Sequence, residues 1–408
     1  MMQRAVTGVL AGVLVSSVAQ AQSDWWGEER VVTYLDLRAA VTDGPASWTE
    51  DGIGKSRFGD GGTDASFHLA EAGLVWRPQI HWSLSGYVHV QYDEHQSDPV
   101  GLVEGFVRYR PVPRSAWRWS GRAGVFYPPV SLEHEEEAWA TEFSLTPSAI
   151  NSWIGEEVKG AGLEVSVERE LGDHLLSVTG GLFGYNDISG VFLRYRGWGL
   201  HDVKTNFGGD YEVVVYPGHI GTVRPFEESD DQPGHYLRLD WSPRPGVNFY
   251  AIHWDNNADL ATRTRPSRAW KTDFVNMGLD WEWTADQRVL AQAMRGATRV
   301  GEQLLPGRHE IDLDFASAYV MWVTQMDQHT VSVRAEVFEI EDHSSAGVAN
   351  WGEEGWSGLA AWRYRRENGQ ALSVELLHIE TDRPRFASFG LDDDQTRTQL
   401  QVGWRLRH

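Results

Sequence analysis

The sequence predicts an all-β chain: a 16-stranded antiparallel transmembrane β-barrel with short periplasmic turns, long external loops and an inward-folded third loop. Three observations carry this. Apolar and polar residues alternate with period two through most of the chain. The connections between alternating segments are short and long in turn. One long connection, 128–157, is too apolar to lie in water and needs a wall to pack against.

The first 21 residues read as a secretory leader. Arg4 supplies the positive start, Ala5 to Val18 the apolar stretch and Ala19-Gln20-Ala21 the small-residue cleavage site, so export and cleavage near Ala21 are expected. Residues 22–408 then form the barrel. No later window is apolar for the ~18 residues a membrane helix needs, so the chain would meet a membrane through strands.

The alternation is explicit in Ile80 to Asp93. Ile80, Trp82, Leu84, Val88, Val90 and Tyr92 share one face, and His81, Ser83, Ser85, His89, Gln91 and Asp93 the other. Val275, Met277, Leu279, Trp281 and Trp283 repeat the pattern against Asn276, Asp280 and Glu282, as do Val331, Val333 and Val337 against Ser332, Arg334 and Glu336. Sixteen strands follow, at 31–39, 64–76, 80–92, 100–110, 117–127, 158–168, 173–184, 235–242, 246–254, 270–283, 287–297, 310–323, 329–339, 356–366, 370–380 and 395–408. After each even strand comes a short turn rich in Pro, Gly, Asn and Asp; after each odd strand comes a longer, acidic segment. On the apolar parity, Trp82, Trp119, Trp241, Trp283, Trp404, Tyr109 and Tyr364 all stand at the short-turn end, as an interfacial aromatic girdle would. Arginine placed at the outward Leu84, Val88 or Val333 should destabilise the barrel, and at the inward Ser85 or Ser332 should be accepted.

Within 128–157, Thr146 followed by Pro147 predicts a helix over 147–154, with Gly155 as its stop. The 185–234 connection is expected to be a long external loop. Its Val191–Arg196 and Tyr211–Tyr216 stretches leave open a short helix over the mouth, or an added hairpin that would make eighteen strands.

Lys and Arg number 36 against 58 Asp and Glu, a formal net charge of -22, which argues against nucleic acid as a partner. Cysteine is absent, so thiolate metal sites and cysteine nucleophiles are excluded. His134 is followed by glutamates, but Ala138 stands where H-E-x-x-H needs its second histidine, and no G-x-S-x-G occurs. No enzyme and no cofactor are expected. The acidic runs Glu227–Asp231 and Asp392–Asp394 could share divalent cations with lipopolysaccharide or simply be solvated, and no dedicated metal site is assigned.

The run RAGVFYPPVSLEHEE, with Arg122, Gly124, Phe126, Pro129 and Leu132, resembles the strand-into-loop segment of the phosphate-selective porin (O/P type) superfamily of Gram-negative outer-membrane porins. SVRAEVFEIED from Ser332 is similar to a late strand of that group, and the similarity covers about 117–168 and 310–408. It implies an outer-membrane pore whose third external loop folds inward and narrows it, with a homotrimer as a possible assembly. Counting long connections independently makes 128–157 the third.

The expected constriction therefore sets Glu133, His134, Glu135, Glu136, Glu137, Trp139, Trp153, Glu156 and Glu157 of the loop against Arg118 and Arg122 of strand five, with Arg122 the nearer. Inward parity adds Arg108, Arg238, Arg334, Arg363, Glu104, Asp280 and Glu336 as pore lining, along with Asp312 and Asp314. Only four lysines are present, so rows of basic residues selective for phosphate are not expected. The resulting reading is a porin-like channel for small hydrophilic solutes or ions, in contact with outer-membrane lipid and lipopolysaccharide. The alternative is a secreted or surface β-protein that binds polysaccharide through its tryptophans.

Overall fold

The computed structural model describes residues 27, 30–216, 218–262, 268–301, 309–345 and 350–408; the expected leader lies outside the described residues. Sixteen strands close into one antiparallel barrel: β1 Val31–Asp43, β2 Ser66–Trp76, β3 Leu84–Tyr92, β4 Val100–Tyr109, β5 Trp117–Phe126, β6 Gly160–Leu171, β7 His174–Gly184, β8 Gly234–Arg244, β9 Val247–Asp255, β10 Trp270–Thr284, β11 Gln287–Val300, β12 Ile311–Met326, β13 His329–Asp342, β14 Glu353–Arg365, β15 Ala371–Asp382 and β16 Asp394–Arg407. Each pairs with the next, and β16 returns to β1 in the register Leu37 with Trp404, so no sheet edge is left open. The hairpin Tyr211–Tyr216 and His219–Val223 pairs only with itself, so the long fourth connection adds nothing to the wall and the count stays at sixteen.

The alternation does what a lipid-facing barrel requires. Leu37, Val107, Val165, Leu239, Met277, Val320, Val333, Leu376 and Val402 all point outward and are exposed to the membrane phase. Trp82, Trp119, Trp241, Trp283, Trp404 and Tyr109 are exposed on the same face at the short-turn end, where Tyr109 and Trp119 sit 5.3 Å apart on neighbouring strands. One parity assignment fails. On β12 it is Leu313, Phe315, Tyr319 and Met321 that turn inward, so Asp312 and Asp314 lie on the lipid parity, and both are within ion-pair reach of Arg299 near the outer end.

Three external connections turn back into the barrel: L1 (44–65), L3 (127–159) and L4 (185–233). L3 lies deepest. Its helix, α1, spans Ala149–Glu157, displaced from the expected 147–154. Ser148 is the cap, accepting from the Asn151 N–H, while the carbonyls of Thr146 and Pro147 accept from Arg334 instead. Gly155 does not end the helix. It sits inside it, where a Cβ would stand 2.8 Å from the Trp139 ring and 3.1 Å from the Val203 carbonyl, so its bare backbone lets L3 and L4 close on each other. L4 lies over L3, and from residue 186 to 206 every residue except Tyr195 and Asp202 is buried. This stretch, expected to be external, fills the bore. L1 joins it through Trp48, whose ring packs against Phe192, His201 and Tyr211 of L4. Apolar side chains of L3 and L4 form one continuous core with the inner wall of β8 to β15, in which Trp153 of α1 meets Trp198, Phe274 and Phe315.

Candidate functional site

L3 leaves β5 at Phe126 and crosses the bore, making polar contacts to the wall as it goes. The Pro129 carbonyl accepts from Arg238 of β8, and the Val130 carbonyl from Tyr250 of β9. Leu132 N–H donates to Gln292 of β11, and Ser332 of β13 donates to the Phe143 carbonyl at 2.7 Å. Arg363 of β14 is ringed by the carbonyls of Thr141, Glu142 and Ser144, and Leu145 N–H donates to Glu375 of β15 at 2.6 Å.

The loop's carboxylates are all engaged. Glu133, almost fully buried, binds Arg334 at 2.7 Å and accepts from the Ser148 N–H and hydroxyl. Arg334 also reaches Glu336 at 3.2 Å, and Glu336 accepts from the Ala149 N–H. Two carboxylates therefore meet the positive end of α1, with one guanidinium between them. Glu135 pairs with Arg288, Glu136 with Arg363 and Arg365, and Glu137 with Arg77 and Arg407. Glu156 is chelated by Arg196 of L4, with His201 at 2.9 Å; burial resists its ionisation, but Arg196 and His201 outweigh that and hold its pKa low. Glu157 accepts from Trp153 Nε1 and from the N–H groups of Gly190 and Phe192.

The expected opposition of this loop to Arg118 and Arg122 is not found. Arg122 pairs with Glu164 at 2.8 Å and donates to the Tyr127 carbonyl, while Arg118 stands at the exposed short-turn rim between Glu168 and Glu170. The reason is local: strand pairing sets Glu164 and Glu168 directly beside the two arginines, so these carboxylates pair with them in place of those of the loop. Among the expected lining residues, Arg238 pairs with Asp240 and Asp280 with Arg288, whereas Glu104 accepts from the Tyr127 N–H. Arg108 is exposed at its position facing Arg122, close to the Phe106 ring.

Below L3, on the short-turn side, lie two water-accessible chambers of about 820 Å³ each. One is bordered by Tyr34, Glu135 to Glu137, Arg405 and Arg407. The other is bordered by Arg77, Tyr87, Arg108, Arg122, His134 and Trp139. The segment bearing Trp139 separates them. Ala138 and Trp139 both adopt left-handed backbone, with φ of 63° and 52°, and the indole is stacked between His134 and Tyr127 at 3.5 and 4.1 Å.

Above the chambers, along β1, β2 and β14 to β16, the space narrows to a cavity of about 20 Å³, room for roughly one water. Its border is dense in charge: Asp36, Arg38, Glu71, Asp202, Lys204, Arg363 and Arg405. Arg38 binds Asp36 at 2.7 Å and Asp202 at 3.1 Å; Lys204 binds Glu71, which also accepts from Tyr34 at 2.5 Å. This is the narrow polar point of the bore; of its border, His134 and Trp139 of L3 and Arg363 were expected, and the other charged residues were not. Asp36 and Arg38 were legible as inward positions of β1, two and four residues from Tyr34. Glu71 was not, because a bulge after Leu69 changes the parity of β2. Asp202 and Lys204 arrive on L4, whose inward course was not expected.

At the neck of L4, Glu228 and Asp230 of the acidic run come together with Asp187, one oxygen of each within 4.8 Å of the others, while Asp392 to Asp394 stay largely exposed.

No family model matches the sequence, and neither does any curated protein. Solved structures match over nearly the whole chain. The outer membrane channel DcaP of Acinetobacter baumannii aligns with a TM-score of 0.52 at 11% identity, over 92% of this chain and 96% of that one. The anion-selective porin from Comamonas acidovorans aligns at 0.50 and 10%, over 93% and 98%. OmpT of Vibrio cholerae in its trimer form aligns at 0.50 and 9%, over 93% and 99%. At these identities the likeness is one of fold: the chain is a closed 16-stranded transmembrane barrel of the porin type.

Proposed function

We propose that this protein is an outer-membrane channel through which small hydrophilic solutes or ions cross by passive diffusion. The observation that carries the reading is the convergence of two wet chambers on one charged, narrow point, inside a barrel whose outer face carries a belt of exposed apolar side chains. Channel selectivity is built from such charged constrictions. Opposite charges alternate around this one, so the channel is expected to be weakly charge-selective. The likeness to phosphate-selective porins is not extended to phosphate, because Arg122, Arg238, Arg288, Arg334 and Arg363 each sit beside a carboxylate.

The polysaccharide reading is disfavoured by where the tryptophans lie: the exposed ones stand on the lipid belt, and Trp48, Trp153, Trp198 and Trp254 are fully buried. A homotrimer remains the proposed assembly, by analogy with the trimer form solved for the Vibrio protein. The test is a planar bilayer. Purified protein should give discrete currents whose reversal potential in a salt gradient lies near zero, and Arg405→Gln should move it toward cation preference. Folded protein that gives no current in any variant would end the channel reading.

A further inference from the structure

We propose that residues 186–206 of L4 are a closing strap, and that the passage opens when this segment withdraws outward while L3 stays in place. The proposal rests on the channel reading above. Four observations carry it.

A cavity of about 20 Å³ passes no solute, so this arrangement is a closed one and a conducting state needs one layer to move. L3 is a poor choice for that layer. It lies beneath L4, and wall arginines Arg238, Arg334 and Arg363 grip its backbone carbonyls along its length.

The strap spans the whole bore. At one end the Ser189 carbonyl accepts from Thr272 of β10 at 2.6 Å, and midway Trp198 Nε1 donates to the Glu339 carbonyl of β13 at 3.0 Å. At the other end Lys204 binds Glu71 of β2 at 2.8 Å, and Phe207 N–H donates to the Leu102 carbonyl of β4 at 2.6 Å. With the strap in place, the chambers below are covered from the outside.

The strap has places to bend. Gly190, Gly197 and Gly208 take φ of 99°, 81° and 87°, at its start, middle and just past its end. Residues that absorb large backbone changes at element ends are what a moving loop requires.

Finally, it bears one half of the constriction. Asp202 and Lys204 complete the pairs with Arg38, Arg57 and Glu71, so withdrawal would remove the two charges that bridge the narrow point and leave the wall residues facing water.

The chain has no cysteine, so a single engineered disulfide can be read without background. A Cβ built on Gly101 would stand 2.6 Å from that of Asn206, about 1 Å inside the spacing across a disulfide, so a G101C/N206C pair bridges once the two segments ease apart by that amount. Since residue 186 is tethered to β7 by the chain, this bridge fixes the far end. Oxidised G101C/N206C in a planar bilayer is expected to be almost silent, and reductant should restore openings severalfold. A second variant, with 190–205 replaced by a short Gly-Ser link, should conduct more than the native protein in either redox state. Equal currents from oxidised and reduced protein, with no gain on shortening, would overturn the strap and leave the channel reading standing. No current from any of the three, although each keeps the heat-modifiable gel mobility of a folded barrel, would overturn both.

Discussion

The inner wall has two halves of different character. From β8 to β15 its upper positions are Ile252, Trp254, Phe274, Leu313, Phe315, Phe338, Leu359, Leu377 and Ile379, and the apolar faces of L3 and L4 are packed against them. From β16 round to β3 the corresponding positions are Gln399, Gln401, Asp36, Arg38, Glu71, His89 and Gln91, and here the narrow cavity remains. The difference teaches where water can run. Apolar wall meeting apolar loop leaves no room and no reason for water, whereas polar wall meeting polar loop keeps a hydrated seam. The apolar half fixes the loops, and the polar half is the path.

The largest expected effect comes from removing one arginine from each half. Arg334 is fully buried among Glu133, Glu336 and two loop carbonyls. Arg334→Met leaves two buried carboxylates with neutral hydrogen-bond donors and no counter-charge from β13, and should cost about 3–5 kcal/mol. Arg407, on the polar side, binds Glu137 with its own side chain 44% exposed, and Arg407→Met should cost less than about 1 kcal/mol. Urea unfolding in vesicles measures both. Equal costs would erase the distinction between the halves.

An arginine scan sharpens the same contrast. Val333→Arg, into lipid, should cost about 2–4 kcal/mol. Its inward neighbour Ser332 was expected to accept arginine, but it is fully buried under the Phe143 carbonyl, so Ser332→Arg should cost at least about 1–3 kcal/mol by overpacking. Ser85 borders a wet chamber, and Ser85→Arg should stay within about 0.5 kcal/mol of the native protein. If Ser332 and Ser85 tolerate arginine equally, the lumen is not packed on the β13 side.

These cases mark how much could be read from the chain. Strands were legible because lipid on one side imposes strict alternation, as in Leu400, Val402 and Trp404 against Gln399, Gln401 and Gly403. L3 was legible because its apolar residues needed a wall. L4 offered the same signal, with Phe192, Leu193, Trp198, Leu200 and Val203 crowded together, and a second one in strands that are apolar on both faces near the outer end, such as Phe274 beside Val275. A lipid-spanning strand whose inward residue is also apolar requires something apolar in the bore. The ion pairs were not legible: parity tells which side a charge faces, but not whether the neighbouring strand or a loop reaches it first, and so Arg122 found Glu164 and Glu133 found Arg334.

The smallest expected effect is a pH dependence confined to the seam between L3 and L4. Burial pushes the Glu157 carboxyl up to about 8; the Phe192 and Gly190 N–H groups and Trp153 oppose this, and neighbouring Glu156 adds to it. At the neck of L4, burial raises Asp187 to about 7, opposed by the Ser229 N–H and reinforced by Glu228 and Asp230. Both folded values lie above the ordinary carboxyl range, so each group contributes stability that is complete below that range and is lost progressively as pH rises from there to about 7 to 8. His201 has the opposite sign. Burial lowers its pKa, despite Glu156 and Asp202 and helped by Arg196, so it favours the closed seam once pH exceeds its unfolded value and weakens it in acid. Protection of 186–206 in hydrogen exchange, corrected for intrinsic rates, should therefore fall from about pH 5 to about pH 8, His201 offsetting only part of the loss below its unfolded value, and level off above that, while the strands of the apolar half keep theirs. Glu157→Gln cannot ionise and should flatten much of that fall. A fall of undiminished size in Glu157→Gln would remove this carboxyl from the account of how the strap is held.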